Sequence, residues 1–237
     1  MNFLAHLVLA DECPKVGRPP GATDSNTGPA DHPAAFAPLP LVGSLFPDLA
    51  REVPAYRGRR GETHPDLPVS IRHGIARHRR IDRITDTHPA FLRTRSRLTS
   101  AYGRFAGVVA DVLFDHALSL RWDQAAPTEP CFPPIPRTDF IAAAHIALQT
   151  ESARVVMPPA MRRTIDAMIE HRWLARYATP LGLERTFLEL AYRFTRRYGR
   201  PIDLTGITSH LAQHSPALLA DFDELWNTLL IRIAAEP

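Results

Sequence analysis

Apolar residues recur at spacings of three and four along most of the chain, and no stretch alternates apolar and polar residues with a period of two. A half-buried strand needs the two-residue alternation, whereas an amphipathic helix needs the three-to-four one. The pattern predicts an all-α fold, and 237 residues suffice for one substantial core. Proline marks the interruptions. Residues 11–40 hold seven prolines and three glycines, and residues 127–136 hold five prolines. The first stretch reads as an irregular Pro/Gly-rich insert. A second polar loop is expected over 54–67. We expect a single compact helical domain spanning 1–237, with the insert at 11–40.

Helices are expected from Asn2 to about Leu9, Leu41 to Leu49, Pro68 to Thr85, onward from Pro89, and Arg104 to Trp122. Thr138 or Asp139 caps the next, which ends before Pro158. Further helices fit 159–176, 183–198 and 216–233, the last opened by Ser215-Pro216. The insert shows little apolar periodicity, which predicts few core contacts. Deleting about residues 14–38 should therefore shift the melting temperature by less than about 4 °C, roughly 1 kcal/mol for a chain of this size. A larger drop in a thermal melt would show that the segment packs on the core.

Charge and cysteine usage narrow the function classes. The formal net charge is +3, and 27 of the 28 basic residues are arginines, Lys15 being the exception. Guanidinium forks suit phosphates and carboxylates. Compositional bias explains the arginines equally well, and charge alone does not choose between an acidic partner and nucleic acid. Cys13 and Cys131 lie in proline-rich stretches with no partner at metal spacing, which excludes a zinc finger or disulfide framework. Met1 to Ala10 is apolar but lacks a basic leader, and no apolar run approaches a membrane span. A cytoplasmic protein is the expectation.

Two helices carry acids and histidines where a core stripe should be apolar. Ile71, Ile75, His78 and Asp82 fall on one face. On the helix at 104–122, Val108, Asp111, Val112, Asp115 and Ser119 share a face, and His116 follows Asp115 directly. Carboxylates four residues apart repel by about 0.2–0.5 kcal/mol when exposed, and by more when buried unless a cation lies between them. A single such residue is ordinarily solvated or satisfied in the core. Two stripes within forty residues favour a metal, and oxygen ligands mixed with imidazole suit manganese, magnesium or iron. On spacing alone His6 reads as a helix-face histidine, Asp48 as a cap or surface acid, and Asp86 as a salt-bridge partner of the nearby arginines. Arg77 and Arg83 read as a solvated basic face, and Trp173 and Trp226 as core anchors.

Four blocks then carry a resemblance. Met1-Asn2-Phe3-Leu4-Ala5-His6-Leu7, Gly43-Ser44-Leu45-Phe46-Pro47-Asp48, Gly74 to Asp86, and Asp111 to Ser119 resemble, in order, blocks of the acyl carrier protein phosphodiesterase family. Three departures stand out: the insert at 11–40, Ser44 in place of a common asparagine, and Ala76 where some relatives carry histidine. The resemblance implies an HD-like all-α fold related to metal phosphohydrolases. It also implies removal of 4′-phosphopantetheine from holo-acyl carrier protein, a small and very acidic partner, with a divalent metal, manganese preferred. It implies His78, Asp82 and His116 as catalytic residues and His6, Asp48, His78, Asp111 and Asp115 as metal ligands. Arg79 and Arg80 would then bind phosphate, and the arginines from Arg93 to Arg97 would add charge toward the carrier. Two alternatives remain: an HD-like phosphohydrolase acting on a nucleotide or small phosphodiester, and a non-catalytic helical binding module. No nucleic-acid or membrane partner is expected.

Overall fold

A computed structural model describes residues 3–10, 41–50, 67–126, 131–154 and 157–235. The expected insert at 11–40, most of the loop at 54–67, and Cys13 lie outside the described residues. Among the described residues ten α-helices occur in this order: α1 (Phe3–Ala10), α2 (Leu41–Ala50), α3 (Val69–Thr87), α4 (Pro89–Tyr102), α5 (Ala106–Gln124), α6 (Arg137–Arg154), α7 (Pro159–Glu170), α8 (Trp173–Arg176), α9 (Pro180–Tyr198) and α10 (Ile207–Ala234). There is no strand among the described residues, so the fold is all-α as the periodicity requires. No helix among them is long and apolar enough to cross a membrane.

The spine is α5. From Val112 to Ser119 every one of its residues is buried, as befits a helix enclosed on all sides. It packs against α4 and α10 on one side and α1 and α6 on others. The short α1 is buried from Leu4 to Ala10 and touches α2, α3 and α5. Eight residues cannot hold a helix in isolation, and distant side chains fix both ends. Asp115 accepts the Leu4 N–H at 2.9 Å and the Ala5 N–H at 3.2 Å. At the other end Arg77 Nη1 donates to the Ala10 carbonyl at 3.0 Å. These bonds satisfy backbone groups that a helix leaves unpaired at its termini. Arg77, expected on a solvated face, is thus a C-terminal clamp. Glu151 of α6 does for α2 what Asp115 does for α1, accepting the Val42 N–H at 2.9 Å.

Helix α2 lies tightly against α3. A Cβ added to Gly43 would meet the Ile71 carbonyl oxygen at 2.6 Å and the Gly74 Cα at 3.1 Å. Only glycine permits this approach, and it puts the Ser44 carbonyl 2.6 Å from His78 Nδ1. Gly43→Ala should cost about 3 kcal/mol, the upper end of overpacking penalties, because the obstructing atoms are backbone. Urea denaturation would measure it.

α3, α5 and α6 start within two residues of expectation, α6 at Arg137 ahead of the expected caps Thr138 and Asp139, and three departures are larger. The helix expected over 159–176 breaks at Arg172, whose φ of 53° is left-handed, and divides into α7 and α8. α9 begins at Pro180 rather than 183, because Thr179 caps it by accepting the Gly182 N–H at 3.1 Å. α10 begins at Ile207, with Pro216 inside it. An interior proline costs about 3 kcal/mol, and the burial of Ile207, Leu211 and Leu218 along the helix offsets it.

Arg93 and Arg97, expected to face a partner, bind α4 to α10 instead. Arg93 Nε donates to Asp221 Oδ1 at 2.8 Å, and Arg97 pairs with the other oxygen, which also accepts from Thr94 at 2.8 Å. The Asp221 side chain is 6% exposed, so the two guanidinium groups compensate a buried charge.

Candidate active site

The site forms where α1, α2 and α3 meet. His78 projects from the buried stripe of α3, one helical turn before Asp82, and His6 approaches from α1. The two imidazoles stack, with centroids 3.8 Å apart and planes 13° from parallel. Asp82 bridges them: Oδ1 lies 3.1 Å from His6 Nε2, and Oδ2 lies 3.1 Å from His78 Nε2. Asp48 from α2 places Oδ2 at 4.0 Å from the same His78 nitrogen. Both histidines are buried, at 0% and 1% side-chain exposure.

The tautomer of His78 follows from its other nitrogen. Nδ1 must donate to the Ser44 carbonyl, so in the neutral ring Nε2 carries the lone pair. That buried Nε2 makes no hydrogen bond of acceptable geometry, although two carboxylates face it. Burial works against a charge on His78, but the Asp82 contact and the Asp48 charge outweigh it and raise its pKa. His6 behaves oppositely. Burial, reinforced by the charge of His78, lowers it to about 4 despite the bond to Asp82. Burial pushes the Asp82 carboxyl up, but the bond to His6 and the close contact with His78 prevail and hold it far below the carboxylate range. One ligand atom each from His6, His78 and Asp82 lies within 4.8 Å of the others. This donor set of two imidazoles and a carboxylate, with positive charge favoured at one orphaned nitrogen, fits a divalent cation.

Asp82 and Asp48 also line a cavity of about 250 Å³, and Asp111 of α5 and Asp86 join them. Burial, with the charges of Asp82 and Asp48 adding to it, raises the pKa of Asp111. The lining also has an aromatic part, formed by Phe3, Trp173, Tyr177 and Phe194. Trp173, expected in the core, stacks on Phe3 here, ring centroids 6.2 Å apart. Glu189, Arg193 and Arg197 of α9 complete the lining.

The other expected site residues lie elsewhere. Asp115 spends both oxygens on the α1 backbone, and burial pushes its carboxyl up to about 7. His116 does not line the cavity. Its Nδ1 donates to the Tyr177 carbonyl at 2.6 Å and ties α5 to the turn between α8 and α9. Arg80 donates to the Arg232 carbonyl of α10, and neither Arg79 nor Arg80 lines the cavity. Sequence reasoning missed Arg193, Arg197 and the aromatic part of the lining. No local signal marks them, because only the placement of α9 against α8 and α10 reveals which of its faces lines the cavity.

The family model for acyl carrier protein phosphodiesterase matches residues 41–229. The chain is similar to the acyl carrier protein phosphodiesterase of Photorhabdus laumondii, 29% identical over 227 residues, which cover 95% of this chain and 89% of that one. It is also similar to the acyl carrier protein phosphodiesterases of Yersinia pestis and Yersinia enterocolitica. Each is 32% identical over 179 residues, 75% of this chain and 71% of the relative. No solved structure matches the chain. With a family model spanning α2 to α10 and relatives similar over most of its length, the chain belongs to the acyl carrier protein phosphodiesterase family.

Proposed function

We propose that this protein is a phosphoric diester hydrolase that removes 4′-phosphopantetheine from holo-acyl carrier protein and releases apo-carrier protein. One observation carries the reading: the His6–His78–Asp82 cluster opens, through Asp82 and Asp48, onto a cavity with acidic and aromatic side chains in its lining. A divalent cation, manganese in our reading, would be held by His6, His78, Asp82 and Asp48. When bound, such an ion offsets charge on phosphoryl oxygens and lowers the pKa of water.

The chain's own groups divide the remaining work. His6 stays neutral near pH 7, since its pKa is lowered to about 4, and so offers a lone pair. The Ser44 carbonyl fixes the His78 ring through Nδ1 and leaves Nε2 for the site. Asp111, with its pKa raised, is suited to accept the proton that water gives up on attacking phosphorus. Phe3, Trp173, Tyr177 and Phe194 supply apolar surface for the alkyl and amide arm of pantetheine and keep bulk water from it. The arginines that can meet the phosphate are Arg193 and Arg197 of the lining.

The test is incubation of the full chain with holo-carrier protein, read by intact mass. With manganese the holo form should convert to apo, and free 4′-phosphopantetheine should appear. Chelation should stop the reaction, and added manganese should restore it. Cleavage of nucleotides or small phosphodiesters with the holo-carrier left intact would overturn the reading in favour of a small-molecule phosphohydrolase. A purified protein with neither bound metal nor turnover would favour a binding module.

A further inference from the structure

Helix α9 has three faces. Leu183, Phe187 and Ala191 are buried. Thr186, Glu189, Leu190, Arg193 and Arg197 line the cavity. At about 100° per residue, Leu181, Arg185, Leu188, Tyr192 and Arg196 form a third stripe, next round the helix from the cavity face. It is exposed: Leu181 is 77% accessible, Leu188 57% and Tyr192 64%. With Tyr198, half of the eight large exposed apolar side chains among the described residues lie on this one helix. That concentration marks a surface that something covers.

Arginines interleave with these side chains. Arg196 lies over the Tyr192 ring at 5.9 Å, and Arg104 over Tyr198 at 4.1 Å. Arg196, Arg197 and Arg200 form no ion pair among the described residues. By contrast, Arg121 is paired with Asp223 and Arg137 with Asp123. The acids of α9 are internally engaged: Glu189 with Arg176 at 2.8 Å and Arg185 at 3.3 Å, and Glu184 with Thr208. The stripe is left positive and rich in tyrosine and leucine, and it adjoins a cavity whose floor is negative.

We propose that this exposed face of α9, with Tyr192 and Arg196 in its C-terminal half and Arg200 two residues beyond the helix, is the docking surface for the acidic face of the carrier protein whose arm enters the cavity. The inference rests on the reading of holo-carrier protein as substrate. Charge decides the occupant. An acidic protein gains from the rim and lowers only its arm toward the carboxylates. A nucleic acid would lay phosphates along Asp48, Asp82 and Asp111. Arginine and tyrosine are also the side chains that dominate binding energy at protein interfaces.

The test uses the full manganese-loaded chain. Two variants, Arg196→Glu with Arg200→Glu, and Tyr192→Ser, are compared with wild type and with Arg163→Glu on α7, which contributes nothing to the cavity lining. Against holo-carrier protein, both α9 variants should raise KM about tenfold and leave kcat within about twofold. The charge-reversed variant should also lose most of the salt dependence of kcat/KM. Hydrolysis of bis(p-nitrophenyl) phosphate should match wild type in every variant, and Arg163→Glu should change neither reaction. An unchanged KM in both α9 variants overturns the docking surface, as does an equal rise in Arg163→Glu. So does a wild-type dimer in sedimentation that the variants split, since the face then belongs to a second copy. If wild-type protein leaves holo-carrier uncut, the substrate reading itself fails, and the docking surface with it.

Discussion

His78→Ala should abolish conversion of holo- to apo-carrier protein, a fall of at least about 100-fold, the loss that even outer partners of a metal site bring. The imidazole is 1% exposed and sits where α2, α3 and the bridging carboxylate converge. Removing it leaves the Ser44 carbonyl without its donor at 2.6 Å and takes one of two imidazole partners from Asp82. Metal retained through gel filtration, measured by elemental analysis, should fall in parallel. Far-UV circular dichroism should stay close to wild type, because Ile71, Ile75, Ile81 and Ile84 still anchor α3. A variant that keeps both metal and turnover would remove His78 from the site. One that loses turnover alone would make it an acid or base rather than a ligand.

Why His78 and Asp82 were legible from sequence, and other residues less so, has a physical basis. Both lie on one helix, and helical geometry converts their spacing into a shared face without any knowledge of the fold. His6 sits on a separate short helix, and nothing local distinguishes it from a core histidine. Only the family resemblance pointed to it before the stacking of the two rings was visible. The arginines of α4 show the opposite failure. The resemblance turns Arg93 and Arg97 toward the carrier, but their partner Asp221 is more than a hundred residues away on α10. A charge run reads as solvated until such a counter-charge appears. The same holds for Arg77, whose acceptor is the last carbonyl of α1. The all-α class was legible because periodicity is a local property. The start of α10 was not, since burial of Ile207 and Leu211 overrides a proline signal that is also local.

Asp115 and Asp111 show how one pattern hides two roles, and their variants should separate in opposite directions. A buried acid on an apolar helix face needs positive charge, and sequence cannot say whether a cation or the N-terminus of another helix supplies it. For Asp115 the structure shows the helix: both oxygens accept α1 backbone N–H groups, at 2.9 and 3.2 Å. Asp115→Ala should therefore destabilise the protein even in chelator. Each buried donor left without an acceptor costs about 1–3 kcal/mol. Burying the carboxyl is itself unfavourable, as its rise to about 7 shows, so the net loss should be about 2 kcal/mol. Metal affinity should fall as well, because loosening α1 frees His6, one residue beyond the capped turn. Asp111 lies on the cavity wall, where burial and the charges of Asp82 and Asp48 all oppose its ionisation. Asp111→Asn relieves that repulsion, so stability in chelator should be unchanged or higher while turnover falls. Urea denaturation of both variants, with and without manganese, reads the contrast directly. If Asp115→Ala is as stable as wild type in chelator and weaker only when manganese is present, the carboxylate acts as a ligand and its capping of α1 is incidental.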